Sequence, residues 1–280
     1  MKKDIQKEIT EKIIDLIEEH GPNWTKPFAE IGGSPTNAAT GRKYRGVNAF
    51  WLGLLGKSVV ATYKQWQSLD AQVLSGEKGT RISVPMTIKD KNTGEITGTW
   101  FSAATVFSSD QVTGWEAPAL PEIDHTEVLA NVDKFISNTG ADIKVSADGG
   151  CYFSPNQNFI HMLHREQFGA TETSSATECF YSTQLHELVH WSGHKSRLDR
   201  LELKNKHGYA FEELVAEVGS AILCADLGVS TETRPDHAQY IANWLQALKD
   251  DKTFIYKAAG QAQKAVDFLH GLQEQERVAA

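Results

Sequence analysis

Cysteine is scarce in this chain of 280 residues. There are three, Cys151, Cys179 and Cys224, and no two share a C-x-x-C spacing. That excludes a disulfide framework and points to a reducing, cytoplasmic setting. Long apolar runs are missing too: none approaches the ~20 residues that a membrane-spanning helix needs, so no membrane partner is expected. Met1-Lys2-Lys3-Asp4 is not followed by an apolar stretch, which argues against a secretory signal. No internal repeat and no low-complexity tract is found. The first half carries no acidic polymerase triad and no nucleotide-binding loop, so primase chemistry is disfavoured. What remains is 40% hydrophobic and 23% charged, a globular composition sufficient for one large or two ordinary domains.

Positive charge is also in deficit, with a net charge of −8, but the deficit is uneven. Residues 1–115 hold 14 Lys and Arg against 12 Asp and Glu, whereas residues 116–280 hold 14 against 24. An acidic chain does not attract nucleic acid as a whole, so any such contact must use a local basic face in the first half. Arg42, Lys43 and Arg45 surround Tyr44 in the turn-rich stretch 34–46. Across the first half basic residues alternate with aromatics: Tyr44, Phe50, Trp51, Tyr63, Trp66 and Trp100. Cations that follow phosphates and rings that stack on bases suit single-stranded nucleic acid.

One stretch carries a chemical signature. His186-Glu187-Leu188-Val189-His190 is an H-E-x-x-H sequence. On a helix, residues four apart share a face, so both imidazoles can reach one metal ion, and Glu187 sits where it can take a proton from water. A third ligand is needed. A histidine six residues beyond His190 is excluded, because Ser196 stands there. His194 follows Gly193, whose turn should swing it away. A carboxylate from the next helix, 209–227, is the other solution. Glu213 is assigned as ligand, with Glu217 one turn on accepting from an imidazole N–H; the swapped assignment, or Glu212, stays open. Ala216, Gly219, Ser220 and Ala221 leave one side of that helix small enough to lie close to the histidine helix.

Along the chain, apolar periodicity predicts a helix over 4–19, ended by Gly21-Pro22. An extended aromatic segment, Trp24–Phe28, should follow. A helix is expected over 48–55, and Thr62 with Gln65 reads as a capping box opening a helix to about Leu74. Strands are expected at 80–88 and 98–107, hinged at 91–95. Pro118 and Pro121 beside Gly114 mark a linker over 114–123 between a domain of residues 1–113 and one of 124–280. The second should hold a helix at 125–138, short strands at 143–145, 151–153 and 158–163, the metal helix at 173–192, and two last helices at 235–248 and 252–271. The strand at 158–163 is expected to border the cleft and to hold a peptide by backbone pairing. His161 lies on it, more plausibly in packing than in contact with substrate. Tyr209 is a plausible hydroxyl donor to the cleft.

These blocks resemble a family. The chain is similar to the ArdC antirestriction proteins of conjugative plasmids and phages, whose N-terminal part is shared with TraC-type primases. In the first half the resemblance rests on Pro35–Asn48, Thr62-Tyr63-Lys64-Gln65 and Gly76-Glu77-Lys78-Gly79-Thr80. In the second it rests on Tyr152-Phe153-Ser154-Pro155, on His186–His194 with Arg197-Leu198, and on Tyr209–Glu217. It implies an α+β protein of two domains: an N-terminal α/β domain that binds single-stranded DNA and a C-terminal zincin-like domain of the gluzincin type, with a short mixed sheet and several helices. It also implies protection of incoming DNA from host restriction. On this reading Arg42, Lys43, Arg45, Lys78 and Arg81 hold phosphates, while Tyr44 and Trp66 stack bases. His186, His190 and Glu213 hold Zn²⁺, and Glu187 is the general base of a peptidase acting on a host protein. The rival reading is a non-enzymatic shield for single-stranded DNA whose metal is structural or vestigial.

Overall fold

The amphipathic repeat at the N-terminus forms helix α1, Ile5–His20, in a computed structural model that describes residues 4–21, 33–91, 93–117, 125–170, 174–201, 208–229 and 238–279. Asp4 caps the helix by accepting from the backbone N–H groups of Gln6 and Lys7. Ile5, Ile9, Ile13 and Ile17 line its buried face, each burial contributing about 1.5–3 kcal/mol. Gly21, at φ 53, ends it in a conformation costly for other residues. The aromatic segment Trp24–Phe28 lies outside the described residues.

The first region continues through β1 (Thr36–Asn37), α2 (Gly46–Leu54), β2 (Val59–Thr62), α3 (Tyr63–Ser68), β3 (Gln72–Val73), β4 (Thr80–Lys89), β5 (Ile96–Ser108) and β6 (Val112–Thr113). One sheet has the order β1-β2-β5-β4, with β1 and β2 parallel and the other pairs antiparallel. β3 and β6 form a separate antiparallel ribbon. The capping box at Thr62 and Gln65 forms, but the helix it opens ends at Ser68 rather than near Leu74. The chain turns at Asp70, φ 57, and the Ala71 N–H closes onto the Trp66 carbonyl at 3.0 Å. Ala71 and Val73 are then buried with Trp66, while β3 pairs with β6. Tertiary pairing has overridden local helix preference. The hairpin of β4 and β5 turns at 90–95, of which Asn92 is outside the described residues.

The linker at 114–123 is described only to residue 117. Beyond it come α4 (His125–Asn138), β7 (Ile143–Ser146), β8 (Tyr152–Ser154), β9 (Phe159–Leu163), α5 (Ala176–Ser192), α6 (Gly208–Leu227), α7 (Ala238–Asp250) and α8 (Phe254–Ala279). Here the sheet order is β7-β9-β8, parallel between β7 and β9 and antiparallel between β9 and β8. This corrects the expectation for the strand at 158–163. β9 is central, so both of its edges are already paired; among the described strands, β8 is the edge beside the cleft.

The main apolar cluster crosses between the regions. Ile13 of α1 and Trp51 and Leu54 of α2 belong to the same buried cluster as Leu214 of α6 and Ala258 of α8. Polar bonds follow the same seam: the Thr10 hydroxyl donates to the Lys252 carbonyl at 2.8 Å, and the Gly46 N–H to Gln263 Oε1 at 2.8 Å. Among the described residues no helix is long and apolar enough to cross a membrane.

Candidate metal centre

Helix α5 starts at Ser175, whose hydroxyl accepts from the Glu178 N–H while Glu178 reaches back, completing a capping box. The helix is buried almost all round from Cys179 to Ser192, which explains its lack of an apolar stripe. Its histidines therefore face other helices rather than water. Helix α6 lies close against it: a Cβ on Gly219 would stand 3.0 Å from both methyls of Val189. The small face read from the sequence thus lets α6 bring its carboxylates to α5.

His186 and His190 present their Nε2 atoms 3.1 Å apart, with ring planes at 75°. Glu213 comes from α6, with one carboxylate oxygen 3.6 Å from His186 Nε2 and the other 3.5 Å from His190 Nε2. The three ligand atoms lie within 4.8 Å of one another. All three side chains are buried. Two imidazoles and one carboxylate form a donor set that suits a divalent metal ion and leaves room for a fourth ligand. Each neighbouring acid has its own place. Glu217 lies 3.7 Å from His186 Nδ1, on the far side of that ring from Glu213. Glu212 sits 3.1 Å from His190 Nδ1. Glu187, only 3% exposed, faces the same cleft.

A residue that the sequence did not single out completes the shell. After α5 the chain folds back on the helix end, with the Leu198 N–H donating to the Ser192 carbonyl and the Arg200 N–H to the Gly193 carbonyl. Asp199, at φ 48, makes the turn. Arg200 is thereby driven inward and is 3% exposed. Its Nε and Nη2 bond the two oxygens of Glu212 at 2.8 and 2.7 Å, and Nη2 also donates to the Val189 carbonyl at 2.6 Å. Gly193 is required there, since a Cβ would stand 2.8 Å from Arg200 Nη2. No spacing rule links Arg200 to Glu212; only the folded turn joins them.

Electrostatics follow the geometry. Burial pushes the Glu212 carboxyl upward, but the Arg200 hydrogen bonds and His190 outweigh it, and the net shift is down. Burial pushes His190 down, but the Glu212 hydrogen bond and the charges of Glu213, Glu212 and Glu187 prevail and raise it.

The cleft has a volume of about 430 Å³. Tyr152 and Phe153 of β8 form one wall, the metal-ligand cluster the floor, and Tyr209 part of the rim. Tyr209 is 67% exposed, placed at the mouth rather than in the core. His161 faces elsewhere: Ser146 Oγ and the Gly150 carbonyl engage its two nitrogens, and its ring stacks on Tyr152. His194 is turned away from the cluster, its Nδ1 2.8 Å from Ser196 Oγ.

The residues expected to bind DNA divide into groups. Arg42 and Lys78 are exposed. Lys43 Nζ lies 2.5 Å from Asp226, and Arg45 bonds Asp267, so both reach across to carboxylates of the second region. Arg81 pairs with Glu8 of α1 at 2.8 Å. Tyr44 is half-buried, its hydroxyl accepting from the Asn37 amide at 3.2 Å. Trp66 departs from expectation. It is fully buried, donates to the Phe107 carbonyl at 2.9 Å and meets Trp115 edge-to-face, so neither ring face is open to a base. Core packing claims it, as it does most tryptophans.

Residues 3–113 match the family model for the N-terminal domain of anti-restriction factor ArdC, and residues 130–261 that for a zincin-like metallopeptidase. The crystal structure of the metal-free antirestriction protein ArdC from plasmid R388 superposes with a TM-score of 0.79, at 37% identity, over 96% of this chain and 97% of that one. Its Mn(II)-bound form gives 0.76 at 34% identity over 96% and 98%. Protein y4eC of Sinorhizobium fredii is 35% identical over 96% of this chain and 92% of its own. DNA primase TraC of Escherichia coli is 32% identical over 99% of this chain, which spans only 28% of that protein. With both regions matched and near-complete coverage of y4eC and of R388 ArdC, the chain belongs to the ArdC antirestriction family, an ArdC-type N-terminal domain joined to a zincin-like one.

Proposed function

We propose that this protein binds single-stranded DNA through its first region and carries a zinc-dependent peptidase centre in its second, and that it protects incoming DNA from restriction. The observation that carries the catalytic half is the convergence of His186, His190 and Glu213 beneath a cleft that Glu187 also faces. His186, His190 and Glu213 would hold the ion. Bound there, it supplies Lewis acidity toward a peptide carbonyl and toward water. The Glu187 carboxylate accepts the water's proton and returns it to the leaving amine nitrogen. Among the described strands β8 is paired on one side only, which leaves its other edge along the cleft wall for an extended peptide. Tyr209 at the rim is placed to donate its hydroxyl to the substrate.

DNA contact is assigned to Arg42 and Lys78, which are exposed, and to Lys43, Arg45, Arg81 and Tyr44. The likeness to the R388 antirestriction protein and the ArdC-type domain support this half of the reading. Binding through these phosphate contacts should weaken as salt rises, with a slope set by how many of the cations engage.

Two changes test the halves separately. Glu187→Ala should retain the metal, measured by elemental analysis of the purified protein, and should abolish cleavage in a comparison of host proteomes. If it leaves protection of transferred DNA intact, the protein acts as a shield and its metal is structural. Replacing Arg42, Lys43 and Arg45 together by Ala should weaken binding of a labelled single-stranded oligonucleotide at least tenfold in fluorescence anisotropy. Unchanged affinity removes this patch from the interface.

A further inference from the structure

We infer that Arg200 is a positioning residue for the metal site, acting through Glu212 to fix the ring of His190. The inference rests on the reading of His186, His190 and Glu213 as metal ligands, and it concerns two residues that this reading does not use. The geometry forms a chain of charge-assisted bonds. The guanidinium grips both oxygens of Glu212, and the oxygen held by Nη2 also stands 3.1 Å from His190 Nδ1. With Nδ1 as the donor in that bond, Nε2 keeps its lone pair toward the cluster. The same guanidinium bonds the Val189 carbonyl, and its Nη1 takes Ser192 Oγ at 3.2 Å. One side chain therefore ties the last turn of α5 to the first turns of α6, the two elements that bring the ligands together.

A lone buried arginine has a simpler use, to neutralise a buried acid. Three features exceed that role. The fork is bidentate, which fixes orientation as well as charge. Of the two oxygens it holds, the one bonded by Nη2 is the one that faces the ligand ring. Gly193 leaves the space that the guanidinium occupies, although its own φ of −79° would suit any residue. The two nearest atoms to a Cβ at this position both belong to the Arg200 guanidinium, ahead of the His190 carbonyl at 3.1 Å.

The test is metal affinity on the full chain, by competition of Co²⁺ and Zn²⁺ with a chelator, together with the visible spectrum of the Co²⁺ form. Arg200→Met should weaken binding about tenfold to a hundredfold, the range found when outer partners of metal ligands are removed. Arg200→Lys, which keeps the charge but not the fork, should recover only part. Glu212→Ala should shift the Co²⁺ spectrum in the same direction as Arg200→Met, and the double variant should bind no more weakly than Glu212→Ala alone. Gly193→Ala, which leaves both residues of the ion pair unsubstituted, should reproduce the loss by crowding Arg200. If Arg200→Met does not fold, Arg200→Lys and Gly193→Ala carry the test. Native affinity and spectrum in these variants would overturn the inference, as would losses from Arg200→Met and Glu212→Ala that simply multiply. His190→Ala separates the two levels: if that variant binds metal like the native chain, the ligand assignment itself falls.

Discussion

The metal cleft and the basic loop of the first region treat charge in opposite ways. In the cleft, His186, Glu187, Glu213, Glu217 and Arg200 are all buried, and they come from elements that pack closely. Around residues 42–45 the cations are exposed, and Lys43 and Arg45 pair with Asp226 and Asp267 of the opposite region. Buried charges need fixed partners, because removing one leaves the other without solvent or counter-charge. The Arg45–Asp267 pair is exposed at both ends and typically worth no more than about 1 kcal/mol, so a competing phosphate can displace it, whereas the Asp226 carboxylate is 8% exposed and is shared by Lys43 and His270. The first arrangement defines a rigid chemical site and the second an exchangeable surface.

That contrast can be broken at several points. The largest effect is expected from His190→Ala, which should reduce metal binding below detection by isothermal titration and abolish any rise in melting temperature on adding Zn²⁺. Next comes Trp66→Ala. If Trp66 serves the core, this change should cost about 3–5 kcal/mol of stability in a denaturant titration, whereas a base-stacking residue would cost DNA affinity instead. Glu217→Gln should follow, weakening metal binding by about tenfold; no change would mean that its 3.7 Å approach to His186 is incidental. The smallest effect belongs to the surface. Asp226→Asn with Asp267→Asn should free Lys43 and Arg45 and strengthen oligonucleotide binding about threefold to tenfold. A weaker oligonucleotide complex would show that those pairs hold the loop in its binding shape.

The legibility of the two sites differs for the same reason. His186 and His190 lie on one helical face, so spacing alone places them together, and the small residues of α6 announce its close approach. Glu213 and Glu217 follow from that periodicity, on opposite sides of the imidazole of His186. Arg200 was not legible, because its side chain reaches Glu212 only through the turn at Asp199. The nucleic-acid surface was harder to read. Trp66 sits among basic residues in the sequence, yet its indole faces the core, and composition cannot report which way a ring points. Likewise, the strand at 158–163 read correctly as a strand, but its central place depends on β7 and β8 flanking it. The helix expected to reach Leu74 failed where long-range pairing with Val112–Thr113 outweighed local preference.

The seam at which α1 and α2 meet α6, α7 and α8 carries a practical consequence. Dividing the chain at the proline-bearing linker would strip Ile9, Ile13 and Trp51 from one piece and bare the alanine-rich flank of α8 on the other. Neither fragment would be expected to stay dispersed in water by itself. Produced together, they should find one another and rebuild a working whole, so complementation between halves is a better dissection tool for this molecule than isolated domains.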